Sequence, residues 1–207
     1  PIMLSAPKML QTHMTLLVSE AIDGGATFVQ LREKSHLEGM ELSGEELLAE
    51  AKKLAQLCHE RGVLFVIDDD VELALEAGAD GVHVGQEDMA AKKARALLGP
   101  DKILGVSAHN PEEARKAQED GADYLGCGAA FVTGTKLDAK PITAEMMKAV
   151  TESVKIPVVA IGGITEDNIS QLTGRGLAGA AVVSAIFAAE DPRKASERLL
   201  EKIRQWE

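Results

Sequence analysis

Polar side chains that could hold a phosphate or a metal ion recur directly after short apolar runs of this sequence. Residues 28–31 lead into Arg32-Glu33-Lys34, and residues 63–67 lead into the three consecutive aspartates 68–70. Later runs lead into Gln86 and Asp88, Ser107, Thr133-Gly134-Thr135-Lys136, Gly162-Gly163 and Ser184. If the runs are parallel strands of a barrel, all of their carboxyl ends lie on one face. The polar groups would then converge on one pocket.

The clusters nearest the N-terminus contain cations and carboxylates. Gln30, Arg32 and Lys34 alternate along an extended segment, so all three can point toward the pocket. A solvated strand end explains any one cation equally well. Asp69 and Asp88 follow strands and could supply oxygens to Mg²⁺, which usually takes one or two carboxylates besides waters and substrate phosphates. Each also precedes a helix, and for either aspartate alone helix capping is the favoured interpretation.

Two later segments also suit an anion. Residues 133–136 offer two hydroxyls, a flexible backbone and one ammonium, although a plain surface loop accounts for them equally well. Gly162-Gly163 and Ser184 match the place where barrels hold phosphate, after the seventh and eighth strands. A tight turn explains the glycines about as well.

His83 lies within an apolar strand, so we expect it to support the core or a neighbouring residue rather than to catalyse.

Composition limits the classes of function. The net charge of −11 argues against a nucleic-acid partner, which needs a broad basic surface. The same charge does not attract a phosphorylated substrate, so any anion site must be built from local groups. No apolar run approaches the roughly 20 residues of a membrane span, and no secretory signal is evident. Cys58 and Cys127 lie far apart and are expected to be free thiols in a reducing compartment. We expect a cytoplasmic, single-domain protein over residues 1–207 without a membrane partner; homo-oligomer formation stays open.

Amphipathic helices alternate with the apolar runs. The spacing predicts helices at roughly residues 15–22, 41–61, 71–77, 90–98, 111–119, 143–153, 166–173 and 192–205. Seven strands are predicted, at residues 28–31, 63–67, 81–84, 103–106, 124–127, 156–161 and 180–183. Nearly continuous apolar strands between helices indicate a parallel sheet buried on both faces, of which the closed form has eight strands. We therefore expect an α/β fold, a TIM (β/α)8 barrel.

The eighth strand should precede the helix at 15–22, where only Ile2-Met3-Leu4 is available. Either this stub completes the barrel or the chain lacks its natural start, since Pro1 has no methionine before it. The first strand is thus expected to be short, missing or truncated.

Several motifs, in order along the chain, resemble those of the thiamine phosphate synthase (thiamine-phosphate pyrophosphorylase) family. They are VQLREK at 29–34, ADGVHVGQED at 79–88, GVSAH at 105–109, GADYLG at 121–126, TGTK at 133–136 and IGGIT at 161–165. The resemblance covers about residues 24–192. It implies a Mg²⁺-dependent transferase of thiamine biosynthesis that forms a C–N bond. Such an enzyme joins 4-amino-5-hydroxymethyl-2-methylpyrimidine diphosphate to hydroxyethylthiazole phosphate, giving thiamine phosphate and pyrophosphate.

The resemblance also implies roles for individual residues. The pyrimidine diphosphate would be bound by Gln30, Leu31, Arg32, Glu33, Lys34, Asp68, Ser107 and Lys136. Of these, the catalytic residues would be Arg32, Lys34, Ser107 and Lys136. The thiazole phosphate would be bound by Thr133, Gly134, Thr135, Gly163, Val183 and Ser184, and Mg²⁺ by Asp69 and Asp88. In this family pyrophosphate leaves first, and the thiazole nitrogen captures a stabilised pyrimidine carbocation, so no general base is required.

Three positions depart from the family pattern. Asp68 stands where asparagine is usual, and its extra negative charge should weaken diphosphate binding unless Mg²⁺ or a lysine offsets it. Ala129 and Val132 replace prolines, so we expect a more mobile loop before Thr133.

Three other functions remain open from the sequence. A paralogue of the same fold could isomerise the thiazole phosphate or regulate without catalysis, and it would be expected to lack the Asp69 and Asp88 pair. A non-catalytic phosphate-binding protein would bind phosphate without turnover. An unrelated phosphosugar-processing barrel would want an acid/base pair, which this chain does not obviously show.

Overall fold

The computed structural model describes residues 2–6, 11–32, 43–86, 89–132 and 141–206. Within these ranges eight parallel strands form a closed barrel in sequence order. They are β1 (Ile2–Ala6), β2 (Phe28–Leu31), β3 (Leu64–Asp68), β4 (Gly81–Val84), β5 (Ile103–Ala108), β6 (Tyr124–Gly128), β7 (Val158–Ile161) and β8 (Gly179–Val182). The expected TIM (β/α)8 barrel is confirmed. The stub at the start completes it, because β1 pairs with β2 on one side and β8 on the other.

Helices cover the outside of the barrel. In the described ranges they are α1 (Gln11–Asp23), α2 (Gly44–Glu60), α3 (Val71–Glu76), α4 (Ala91–Leu98), α5 (Pro111–Glu119), α6 (Ala144–Ser153), α7 (Ser184–Phe187) and α8 (Pro192–Ile203). Helix α2 begins later than predicted because Ser43 and Glu46 form a capping box, in which each side chain accepts from the other's backbone N–H. None of the described helices is long and apolar enough to cross a membrane.

The helix predicted over 166–173 is wrong. Only a short 3₁₀ turn, Ile169–Leu172, forms there. The side chain of Asn168 accepts from Thr165 N–H and donates to the carbonyl of Gly163, both at 2.8 Å. Since asparagine here supplies the backbone with partners outside a helix, the helical pattern gives way to a turn. Helix α7, directly after β8, was not predicted.

The barrel interior is filled by side chains from alternate strand positions. Its apolar part contains Met3, Phe28, Val66, Ile103, Tyr124, Val159, Ile161 and Ala181. Toward the carboxyl ends of the strands the same alternation presents Gln30, Asp68, His83 and Ser107. The barrel therefore has an apolar floor and a polar mouth. A larger apolar core lies between the sheet and the helices and includes Cys58 and Cys127.

Both cysteines are buried and free, as expected. Burial raises the pKa of each thiol to about 12, with the charge of Asp80 adding to the effect on Cys58 and that of Glu113 on Cys127. Both side chains therefore stay protonated at neutral pH and act as small apolar groups.

Candidate active site at the barrel mouth

The predicted site residues at the ends of β2 and β3 contact one another. Gln30 Nε2 donates to Asp68 Oδ1 at 3.3 Å, and Arg32 Nε donates to Asp68 Oδ2 at 3.1 Å. Gln30 and Arg32 therefore lie on the same side of the chain, as their spacing predicts. The Arg32 and Asp68 side chains are 23% and 10% exposed, so the ion pair is partly shielded from water.

Asp68 has its countercharge within the protein. The sequence suggested that Mg²⁺ or a lysine would have to offset this extra carboxylate, but Arg32 pairs with it directly. The cost is that one of the cations expected to hold the diphosphate already donates to a carboxylate. Arginine carries five N–H donors, and the described hydrogen bond to Asp68 uses one of them.

Leu31 has a different environment from its neighbours. It is buried in the core between the sheet and the helices, on the opposite side of β2 from Gln30 and Arg32. Its predicted contact with the pyrimidine diphosphate could therefore involve only its backbone.

Asp70, not Asp69, caps the helix after β3. The side chain of Asp70 accepts from Leu73 N–H at 2.8 Å, at the first turn of α3. Asp69 has φ 64°, a left-handed conformation unique among the described residues other than glycine. Its N–H donates to the carbonyl of His83 at 2.7 Å and its Oδ1 accepts from Gly85 N–H at 3.4 Å. The capping interpretation of Asp69 is therefore wrong, and this residue turns toward β4.

Asp69 fits the role of one carboxylate ligand of Mg²⁺. It lies at the barrel mouth beside the residues expected to bind a diphosphate. Among the described residues, no group of three or more His, Cys, Asp or Glu side chains is arranged to hold a metal. Mg²⁺ seldom needs such a group, because substrate phosphates and waters complete its shell. Asp88, the second predicted ligand, lies outside the described residues.

Ser107 is held by a buried histidine. His83 Nε2 and Ser107 Oγ are 3.0 Å apart and share a hydrogen bond, while His83 Nδ1 is hydrogen bonded to the Tyr124 hydroxyl at 2.9 Å. His83 and Tyr124 are 5% and 6% exposed. This chain of three side chains runs from the mouth of the barrel to its apolar floor. His83 supports a neighbouring residue, as its position in an apolar strand suggested.

Tyr124 is the residue that sequence reasoning missed. Burial, with the charge of Asp68 adding to it, raises the pKa of Tyr124 well above 10, so the hydroxyl keeps its proton. The available signal was glycine inside neighbouring strands. A Cβ on Gly105 would lie 2.2 Å from Tyr124 Cζ, and one on Gly126 would lie 3.1 Å from His83 Cε1. These glycines make room for the two rings.

The other half of the mouth is built at the ends of β7 and β8. Ile161 pairs with Ala181, so Gly163 and Val183, each two residues further on, follow at the same level of the sheet. Gly163 has φ 64°, and a Cβ there would lie 2.4 Å from the carbonyl oxygen of Val132. A tight turn against the segment before residue 133 thus requires this glycine.

Ser184 opens helix α7, directly after β8. This is the place where barrels of this type often bind phosphate. The remaining predicted site residues lie outside the described residues: Glu33, Lys34, Thr133, Gly134, Thr135 and Lys136.

The described part of the mouth brings together groups whose chemistry suits a phosphorylated ligand. Arg32 supplies a cation, Ser107 a hydroxyl and Asp69 a carboxylate. The turn at Gly163 and the residues after β8 form a second region, where another phosphate could be held.

The chain is similar to known proteins over most of its length. The family model described as thiamine monophosphate synthase matches residues 2–186. A thiamine-phosphate synthase from Moorella thermoacetica is 47% identical over 188 residues, covering 90% of this chain and 87% of the relative. One from Alkaliphilus oremlandii is 48% identical over 187 residues, with the same two coverages.

Solved structures show the same similarity. Thiamine phosphate pyrophosphorylase from Pyrococcus furiosus has a TM-score of 0.87 and 40% identity, covering 99% of this chain and 96% of its own. The 3-hexulose-6-phosphate synthase from Salmonella typhimurium, with a TM-score of 0.73 and 17% identity, shares only the fold. Because the family model and these relatives span nearly the whole barrel, the chain belongs to the thiamine monophosphate synthase family.

Proposed function

We propose that this chain condenses 4-amino-5-hydroxymethyl-2-methylpyrimidine diphosphate with hydroxyethylthiazole phosphate, giving thiamine phosphate and pyrophosphate. The observation that carries this proposal is the family match over residues 2–186. The barrel mouth supports it, because Arg32, Asp69 and Ser107 lie on strands or turns that meet there. The two free cysteines fit a reducing compartment, and we place the reaction in the cytoplasm.

The diphosphate would bind at the ends of β2, β3 and β5. Arg32 would donate to phosphate oxygens through the guanidinium N–H groups that Asp68 does not occupy, and Ser107 would donate through its hydroxyl. Lys34 and Lys136 would add two further positive charges. Together these groups would stabilise the charge that builds up on pyrophosphate as it leaves.

Asp69 and Asp88 would hold Mg²⁺. When bound, the ion would supply positive charge that offsets the charge of the diphosphate. The protein needs such local charge because its net charge of −11 does not attract a phosphorylated substrate. The conformation of Asp69, which directs it toward β4 rather than into a helix cap, suits this role.

The thiazole phosphate would bind at the turn of Gly163, at Val183 and Ser184, and at residues 133–135. Holding the second substrate there would orient its ring nitrogen toward the pyrimidine carbon that loses pyrophosphate. Such positioning is a large part of catalysis when two substrates react. No side chain has to remove a proton in this scheme, because the nucleophile is a ring nitrogen.

The direct test is pyrophosphate release from the protein mixed with both substrates, with and without Mg²⁺. We expect release that depends on the metal, with thiamine phosphate formed in equal amount. Ser107→Ala should reduce the rate at least tenfold, as loss of a donor to a developing negative charge does. Reactions with either substrate alone serve as controls.

No release from folded protein, at any Mg²⁺ concentration, would contradict the proposal. Conversion of the thiazole phosphate to an isomer in the same mixture would instead favour the isomerase alternative. Binding of both compounds without reaction would favour a regulatory or phosphate-binding protein.

A further inference from the structure

We propose that Tyr124 is a positioning residue for Ser107: through His83, it fixes the direction in which the Ser107 hydroxyl donates its hydrogen bond. The functional consequence rests on the proposed function, in which Ser107 donates to the pyrophosphate. The hydrogen-bond chain itself rests only on the geometry of strands β4, β5 and β6.

The Tyr124 hydroxyl determines which group donates in each hydrogen bond of this chain. Among the described residues, the Tyr124 hydroxyl has one hydrogen-bond partner, His83 Nδ1, at 2.9 Å. A buried hydroxyl proton needs an acceptor, so Tyr124 donates to Nδ1. A neutral imidazole that accepts at Nδ1 carries its proton on Nε2. The histidine therefore donates from Nε2 to Ser107 Oγ, 3.0 Å away.

The serine proton is then left for another acceptor. Because Ser107 Oγ accepts from His83, its own O–H is not used in that bond and can donate toward the barrel mouth. An anionic oxygen is the natural acceptor there. The reverse polarity would make Ser107 an acceptor-only group toward the ligand. It would also leave the proton of Tyr124 buried without an acceptor among the described residues.

The strands are built around this chain of hydrogen bonds. Gly105 lies between the two rings, and a Cβ there would approach His83 Nδ1 to 2.5 Å and the Tyr124 hydroxyl to 2.4 Å. Glycine inside a strand weakens it, so its presence marks a close approach. The ring of Tyr124 also packs edge-on against Phe28, with centroids 5.4 Å apart, which fixes its hydroxyl in space.

The first test measures the tautomer of His83 by ¹⁵N NMR of the imidazole in the intact protein, without any ligand. We expect the Nε2–H form in the wild type, with Nδ1 deprotonated. In Tyr124→Phe, which keeps the ring and loses only the hydroxyl, the Nδ1–H form should become populated. A wild-type histidine with its proton on Nδ1 would overturn the proposal, whether or not the variant folds.

The second test measures pyrophosphate affinity by calorimetry and the rate of pyrophosphate release. Tyr124→Phe should weaken affinity and lower kcat, each roughly tenfold, the usual effect of losing one hydrogen bond to a charged group. The KM for the thiazole phosphate should be unchanged. In a Ser107→Ala background the same substitution should have little further effect, because both act through one hydroxyl.

A matched control is Ser196→Ala, which removes a fully buried hydroxyl that donates to the carbonyl of Pro192 in α8, far from the mouth. It should leave the tautomer and the pyrophosphate affinity unchanged. Additive losses in the Ser107→Ala, Tyr124→Phe double variant would mean that Tyr124 acts independently of Ser107 and would overturn the proposal. If the wild type releases no pyrophosphate, the proposed function fails, while the tautomer measurement still decides the hydrogen-bond chain.

Discussion

Arg32, which we propose binds the diphosphate, is paired with a neighbouring carboxylate. Its Nε donates to Asp68 Oδ2 at 3.1 Å, so a substrate phosphate and Asp68 would compete for the same guanidinium. The carboxylate also adds a negative charge where the diphosphate is expected. In most members of the family, by the sequence resemblance, an uncharged asparagine stands here.

Asp68→Asn should strengthen binding of pyrophosphate by roughly three- to tenfold, because it removes a negative charge that repels the ligand. The repulsion is expected to be about as large as the attraction within a close ion pair. The asparagine oxygen can still accept from Gln30 or Arg32, so the side-chain geometry is retained. Calorimetric titration with pyrophosphate measures the effect, and the gain should shrink as ionic strength rises.

The double variant with Arg32→Ala is the control for this prediction. If Asp68 acts by occupying Arg32, Asp68→Asn should improve binding less when the arginine is absent. Weaker binding by Asp68→Asn alone would show that the carboxylate mainly holds Arg32 in place.

At the scale of a single element, the turn from β3 to α3 divides two roles between adjacent aspartates. Asp70 accepts from Leu73 N–H and caps α3, whereas Asp69 adopts φ 64° and accepts from Gly85 N–H. Sequence alone favoured capping by Asp69, because carboxylates are common just before a helix.

Asp70→Ala should lower the free energy of unfolding by about 1 kcal/mol through loss of the cap. Asp69→Asn should keep the stability, because asparagine tolerates the left-handed conformation well, but should raise the Mg²⁺ concentration needed for half-maximal pyrophosphate release. Denaturant unfolding and a metal titration on both variants separate the two effects. An unchanged metal requirement in Asp69→Asn would remove this residue from the proposed metal site.

For the molecule as a whole, the barrel could be predicted because its strand signal is repeated seven times along the chain. Apolar runs between amphipathic helices require a buried parallel sheet, and eight such strands close on themselves. The prediction failed where one side chain overrides the pattern. Asn168 supplies hydrogen bonds to Thr165 and Gly163, which turned a predicted helix into a 3₁₀ turn.

The polar mouth was predicted in position but not in its connections. That Gln30 and Arg32 share a side follows from alternation along a strand. That Tyr124 reaches His83 depends on the register between strands 41 residues apart in sequence, and no local pattern encodes that register. The pairing of Asp68 with Arg32 likewise depends on how β2 and β3 align.

The free energy of unfolding depends on the protonation of one buried carboxylate in the helices that surround the barrel. Glu50 of α2 is 4% exposed, and neither of its carboxylate oxygens has a hydrogen-bond partner among the described residues. Burial raises the pKa of Glu50 above its ordinary value of 4.5, an effect that the nearby charge of Lys53 partly opposes. Helix α2 packs against α1, α3 and β3.

The raised pKa of Glu50 means that the folded protein holds this proton more tightly than the unfolded chain. Its contribution to stability is therefore complete below pH 4.5 and is lost as the pH rises through the folded-state pKa.

Glu50→Gln should remove this loss, so its free energy of unfolding should exceed that of the wild type by about 1 kcal/mol at pH 7. The advantage should shrink toward pH 4.5. Urea unfolding across this range measures both curves, and the exposed Glu119→Gln on α5 is the control. Parallel curves for the wild type and Glu50→Gln would show that this carboxylate is ionised at no cost in the folded barrel.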